Sequence, residues 1–437
     1  MDLSRLFLLP ALAFVVLLVP APVLAQAEPE AVEFYQLDYR VRLRPRQGLA
    51  VVVIEVRQPR DLLREVRFRR LPGWHDKFSG DGDLELSDEA IIWRPPPQGG
   101  RLRLEATIDH RRGAGGFDSL LTDDWGVFRG DDLVPPAAVR SVKGARAQAR
   151  LQIDAPEGWS SVTAFPKDDG NWYLIDDPER NFDRPVGWMA AGKIGVRRDT
   201  VAGVNVAVAG PAGQDVRRLD ILAFLNWNLP VLEQVFPDFP KRVLIVSAGD
   251  PMWRGGLSGP DSLFIHADRP LISENGTSTL MHELVHLAQG YSADPGGDWI
   301  VEGIAEYYSI EIMRRSGTLS PERARRALAG AERWGRKADS LKANKSSGAV
   351  TARAVTLLAQ LDAELIQRSG GESSLDDVVR ALSERGERVN LRRLQRQAEK
   401  LVGGPLDCLN DMQKTQGSPS AATAQPGKRP ARVSRGS

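Results

Sequence analysis

The segment Thr279-Leu-Met-His282-Glu283-Leu-Val-His286-Leu-Ala-Gln-Gly290 constrains this chain more than any other. Its apolar positions recur at helical spacing, Ser and Thr stand at its start, and Gly290 stands where a C-terminal cap belongs. Residues four apart lie one turn above each other on one helix face, so His282 and His286 can aim imidazole nitrogens at one cation. Imidazole donors suit Zn²⁺. Glu283 projects beside that face, where a carboxylate can take a proton from a water that the metal has acidified. A His-Glu-x-x-His string also arises by chance on amphipathic helices. Here, however, the chain has only 5 histidines, and two of them flank this Glu.

After a turn-rich link, Tyr291-Ser-Ala-Asp-Pro-Gly-Gly-Asp, a second helical segment follows: Trp299-Ile-Val-Glu302-Gly303-Ile-Ala-Glu306-Tyr307-Tyr308. Glu302 supplies a carboxylate for a third ligand. Three protein ligands leave the fourth tetrahedral position to water, as catalysis requires and a purely structural site does not. Glu306 lies one turn beyond Glu302. It either hydrogen-bonds the far nitrogen of a ligating His, fixing its tautomer and orientation, or stands as a solvated surface carboxylate.

The rest of the chain divides by texture, and its 437 residues with 42% hydrophobic content suffice for at least two cores. Strand-like alternation runs from about Ala31 to Gly210, as in Tyr39-Arg-Val-Arg-Leu-Arg, Arg101-Leu-Arg-Leu-Glu-Ala-Thr-Ile and Ala149-Arg-Leu-Gln-Ile. Turn formers separate the runs, so residues 26–212 read as an antiparallel β domain, a sandwich. Asp215 to Phe236 then carries helical spacing, Lys241 to Ser247 and Ser262 to His266 read as strands, and successive helices follow to about Val402. Ser320-Pro321 opens one helix and Ser373-Ser-Leu-Asp-Asp another. The expected fold class is α+β, with a mainly helical second domain over 213–405 and a disordered Gly-Pro-Ser tail over 406–437.

Residues 1–25 read as a signal peptide: Arg5, an apolar run from Leu6 to Leu24, then small residues at Val23 and Ala25. An uncleaved membrane anchor is the alternative, against which Pro10, Pro20 and Pro22 speak. No later segment is apolar enough to span a bilayer. The single cysteine, Cys408, cannot form an internal bridge. Export without disulfides fits a bacterial periplasm. Lys and Arg total 58 against 57 Asp and Glu, so no net field draws the molecule to nucleic acid or anionic lipid. Oligomeric state is not written in the sequence.

His282-Glu-Leu-Val-His286 followed by Trp299-x-x-Glu302-Gly303 resembles the gluzincin metallopeptidases, which include thermolysin and aminopeptidase N. The nearest resemblance is to the glycyl aminopeptidase family, through Trp299-Ile-Val-Glu-Gly-Ile-Ala-Glu-Tyr-Tyr, Arg314-Arg-Ser-Gly-Thr-Leu-Ser-Pro and Gly370-Gly-Glu-Ser-Ser-Leu-Asp-Asp-Val. It spans roughly Asp215 to Val402. The resemblance implies a thermolysin-like zinc peptidase domain behind an N-terminal β domain, with a strand near Gly255-Gly256-Leu257 at the cleft edge. It also implies that Glu306 braces a zinc-bound His.

Four departures stand out. The Tyr-x-Lys-Gly that commonly supplies an oxyanion donor corresponds here to Lys345-Ser346-Ser347-Gly348, leaving Lys345, Tyr307 and Tyr308 as candidates. Gly255-Gly-Leu-Ser-Gly stands where aminopeptidases of this type place a Glu or His that grips the substrate's amino terminus. The PDZ domain of the family is missing, and the link from His286 to Glu302 is short. His266 reads as a polar strand-edge residue rather than a ligand, and His75 and His110 have no partner spacing. Trp74, Trp125, Trp159, Trp172 and Trp188 read as sandwich core. Two functions follow: a zinc peptidase acting on a peptide or protein substrate with Glu283 as general base, or a zinc-fold protein that binds peptides without turnover. A metal-dependent hydrolase of another class is a third.

Overall fold

The computed structural model describes residues 32–113, 115–175, 180, 182–343, 345–383 and 388–410. The expected signal segment 1–25 and the part of the expected tail beyond residue 410 lie outside them.

Alternation in the N-terminal half produces a layered β domain. In the strand Phe34–Arg44, Tyr35, Leu37, Tyr39, Val41 and Leu43 are buried while the arginines between them face out. This strand sits inside a six-stranded sheet, flanked by Leu49–Arg57 and Arg146–Asp154. Its apolar face packs on Val66, Phe68, Ile91 and Trp93 of a four-stranded sheet and on Leu121, Phe128 and Met189 of a five-stranded one. The short helix α1 (Gly130–Leu133) lies among these layers. One pairing departs from the antiparallel expectation: Phe34–Arg44 runs parallel to Arg146–Asp154. Alternation fixes which face a residue takes but carries no information about strand direction.

A second five-stranded sheet orders Ile194–Val201, Val204–Pro211, Arg242–Ala248, Ser262–His266 and Gly256–Gly259, the last at its edge. Val204–Pro211 pairs in parallel with Arg242–Ala248, so the expected boundary at residue 212 falls inside one sheet. The strands of 194–211 belong with the second half of the chain. They look like those before them because a half-buried hairpin reads alike in either domain. Leu120, Trp125, Val127 and Trp188 pack on Leu244, Val246 and Phe264, joining the β domain to this sheet.

The helices follow: α2 (Arg218–Val235), α3 (Thr279–Gln289), α4 (Asp298–Arg315), α5 (Pro321–Gly335), α6 (Ala349–Arg368), α7 (Leu375–Leu382) and α8 (Leu391–Val402). Local chemistry sets their starts. The Ser320 hydroxyl accepts from the Arg323 N–H at 3.3 Å at the head of α5, and Ser374 with Asp377 forms a capping box on α7. One core buries α4 at Trp299, Ile300, Ile304 and Ile312 against Leu358 and Leu361 of α6. Each such side chain contributes about 1.5–3 kcal/mol of burial. Leu406 and Leu409 are fully buried in this core, so the ordered chain continues past residue 405, where the tail was expected to begin. These two leucines stand in a stretch too short to show a period. Among the described residues no helix is long and apolar enough to cross a membrane.

Candidate metal centre

Two capped helices carry the centre. Ser278 closes the N-terminus of α3 by accepting from the Met281 N–H, and Gly290 takes the left-handed conformation at its other end. His282 and His286 therefore project from one face, with their Nε2 atoms 3.0 Å apart. Glu302 on α4 completes the set: Oε2 lies 3.4 Å from His282 Nε2 and Oε1 lies 3.6 Å from His286 Nε2. Ligand atoms bound tetrahedrally at zinc–nitrogen lengths stand about 3.3 Å from one another. The three observed separations bracket that value, so the residues fit a single Zn²⁺.

Two features hold the helices in register. The Gln289 side-chain amide donates to Val301 O across the short link, and a Cβ at Gly303 would lie 2.7 Å from Ala354 Cβ of α6. The Glu-Gly pair thus places a ligand on one side of α4 and a close helix crossing on the other. The abbreviated link is also tied down from outside, where Ser292–Ala293 pairs with Arg388–Val389 and the Asn390 amide donates to Asp294 Oδ2 at 2.7 Å.

Glu306 meets His282 Nδ1 at 3.0 Å, the bracing geometry that fixes a ligating ring. Burial opposes charge on His282, yet hydrogen bonds that the ring donates to Glu302 and Glu306 outweigh it and push this ring up to about 10. Burial would raise Glu302, but His282 and His286 pull its carboxyl down to about 2. The centre is built to stabilise positive charge where the rings meet the carboxylate, which is where a cation would sit.

Glu283 is buried beside the edge strand Gly256–Gly259, and its Oε2 accepts the Ser258 N–H at 2.8 Å. Gly256 permits this approach: a Cβ there would lie 2.8 Å from Thr279 Cγ2, 2.9 Å from Glu283 Cγ and 3.1 Å from Oε1. Behind the strand, the Trp188 indole N–H donates to Leu257 O at 2.8 Å, and Ser262 Oγ accepts the Trp188 N–H at 2.7 Å. The β domain therefore positions the edge strand. The glycine doublet hinted at close approach, whereas nothing in the sequence linked Trp188 to Leu257.

The remaining candidates stand elsewhere. The Tyr307 hydroxyl donates to Asp362 at 2.6 Å and the Tyr308 hydroxyl to Asp376 at 2.7 Å, both within the helical core. Lys345 is exposed. His266 is buried, with Nδ1 accepting the Asp268 N–H, and takes no part in the cluster. His75 and His110, without partner spacing in the sequence, both lie near Asp132: His75 Nε2 is 2.9 Å from its carbonyl and His110 Nδ1 is 3.8 Å from its carboxylate. Trp125, Trp172 and Trp188 are buried, Trp125 and Trp188 at the junction with the second sheet rather than within the sandwich core that was expected, while Trp74 and Trp159 are half-buried.

The sequence matches no family model and no curated protein. Solved structures do match the fold. An aminopeptidase N family protein from Idiomarina loihiensis superposes with a TM-score of 0.61 at 13% identity, over 86% of this chain and 72% of that one. The M1 zinc metallopeptidase of Deinococcus radiodurans gives 0.55 at 16% identity, over 92% and 96%. Yeast LTA4 hydrolase gives 0.55 at 12% identity, over 92% and 69%. The chain has the fold of the M1 zinc metallopeptidases, a sheet-rich N-terminal part followed by a helical part, as the gluzincin resemblance implied.

Proposed function

We propose that the chain is an exported zinc-dependent peptidase that hydrolyses peptide bonds with water, using Glu283 as general base. One observation carries the reading: His282, His286 and Glu302 offer ligand atoms all within 4.8 Å of one another, with a carboxylate base beside them. A fold-level likeness to peptidases supports it, and one of those proteins, from Deinococcus radiodurans, has been seen with a Tyr-Ser-Ala substrate.

When bound, Zn²⁺ supplies Lewis-acid polarisation of the scissile carbonyl and a more acidic water. The chain's own residues do the rest. The Ser258 N–H fixes the Glu283 carboxylate, which takes the proton from the attacking water and returns it to the leaving amine. Glu306 holds the His282 ring in the tautomer that presents Nε2. The edge strand Gly256–Gly259, through the main-chain groups that Glu283 and Trp188 leave open, holds the substrate main chain extended. Residues 1–25 act as a signal peptide that directs the chain to a bacterial periplasm, where no bulk charge selects its partner.

Mass analysis of a mixed peptide library tests this. Zinc-loaded wild-type chain cleaves peptide bonds, and Glu283→Gln lowers turnover by about 10²–10⁴-fold. Peptide binding without cleavage by the wild type would overturn the reading in favour of a binding protein.

A further inference from the structure

Beside the metal ligands lies a cavity of about 640 Å³ whose walls are unlike the rest of the site. His282, Glu302 and Glu306 form one wall, and the facing wall is the basic side of α5 with Arg323, Arg326 and Arg333. Arg323 is anchored by donating to Ser273 O at 3.1 Å, while Arg326 lies 3.8 Å from the exposed Glu322. Gly330, without a side chain, opens the wall where the Arg333 guanidinium lies, 3.9 Å from where its Cβ would be.

The floor is the start of α6, a 20-residue helix whose N-cap, Gly348, gives no side-chain cap. The Val350 N–H is met by Ser347 O, and the helix dipole favours an anion at this end. Ser346 lines the cavity and is only 8% exposed, with its N–H donating to the Asp298 carboxylate and its Oγ turned away from solvent. Of the acidic residues lining the cavity, Glu302 and Glu306 are engaged by His282, leaving Glu274 against three guanidinium groups. Trp334, 51% exposed, covers Gly348 with its ring at about van der Waals distance from a built Cβ and closes the outer rim.

We infer that this cavity is a subsite for a carboxylate borne by the substrate within a residue or two of the scissile bond, making acidic peptides the preferred class. The inference rests on the peptidase reading for its substrate, and it names what that reading leaves open. Arginine forks match a carboxylate's two oxygens, and the dipole at the start of α6 acts in the same sense. The carboxylate comes either from an Asp or Glu side chain or from a peptide C-terminus. Both are short, planar anions for the same donors.

The experiment is equilibrium binding of paired peptides to the zinc-loaded Glu283→Gln chain, followed by calorimetry. One pair differs by Glu against Gln with both ends blocked, and a second by a free against an amidated C-terminus. We expect at least one pair to bind about tenfold more tightly as the acid, with the preference shrinking as salt is raised. In Arg326→Gln/Arg333→Gln the acid-to-amide ratio should fall towards one. Circular dichroism and zinc content establish that the variants are folded. Whichever pair shows the preference identifies the source of the carboxylate. Equal affinity of acid and amide in both pairs, absence of binding, or a ratio indifferent to the arginines would overturn the subsite. Because the readout is binding, a wild-type chain that binds acidic peptides but cleaves none would defeat the peptidase reading while leaving the subsite intact.

Discussion

Replacing Gly256 by Ala should damage turnover while sparing the metal. The added Cβ would meet Thr279 Cγ2 at 2.8 Å and Glu283 Cγ at 2.9 Å, against the 3.4–4 Å of ordinary contact, so strand or helix must move by roughly 0.5–1 Å. Gly256 is not among the positive-φ residues, so the backbone tolerates Ala and the effect is steric alone. Either movement strains the bond from the Ser258 N–H to Glu283 Oε2, which sets the base. A misplacement of about 1 Å costs on the order of 10²-fold in rate, and the overpacking costs about 1–3 kcal/mol of stability. Zinc content, melting temperature and steady-state kinetics are the assays. Gly256→Ala should keep its zinc, melt several degrees lower and lose one to two orders of magnitude in kcat. Wild-type kcat in a folded, zinc-loaded variant would refute the claim that this approach positions the base.

Glu306→Gln should weaken zinc binding by about 10–100-fold in competition with a chelator, because Gln is a poorer acceptor for the His282 Nδ1–H. Tyr307→Phe and Tyr308→Phe should each cost about 1–3 kcal/mol in denaturant unfolding, by stripping a donor from Asp362 or Asp376, yet keep kcat within a few-fold. A large kcat loss in either would return that hydroxyl to the chemistry. His75 provides a pH test, since burial pushes its pKa from 6.5 down to about 4. The unfolded ring protonates through 6.5 while the folded ring stays neutral to about 4, so the unfolded state binds more protons in that window. Stability therefore falls as the medium is acidified, by about 3 kcal/mol in total from this residue. Unfolding free energies of His75→Gln should be flatter than wild type by that amount between pH 6.5 and 4, and parallel curves would contradict the assignment.

Much of the candidate centre was legible because its geometry is local. The four-residue spacing of His282 and His286 is already a statement about one helix face, and Glu302 arrives on the next helix. The Glu306 brace was readable as geometry but open between two roles until α3 and α4 were seen to cross with 3.0 Å between His282 Nδ1 and the carboxylate. Non-local facts escaped. The parallel run of Phe34–Arg44 beside Arg146–Asp154 spans over a hundred residues, and alternation says nothing of direction. The hairpin of 194–211 carries the same alternation as the β domain, although its partner strand is Arg242–Ala248. Trp188 is buried, but at the junction with the second sheet, and its bond to Leu257 O, which ties the β domain to the edge strand beside Glu283, has no periodic signal. The arginines of α5 looked like any solvated helix face, because the cavity they line is shared with the start of α6, beyond the intervening loop.

Metal stoichiometry by elemental analysis of the purified mature chain, measured beside His286→Ala and Glu302→Gln, tests the account most directly. The geometry of His282, His286 and Glu302 predicts about one zinc per wild-type chain, held through gel filtration and lost or greatly weakened in both variants. A folded wild-type chain that binds no zinc, or variants that hold it as tightly as wild type, would contradict the assignment of these three residues as a metal centre.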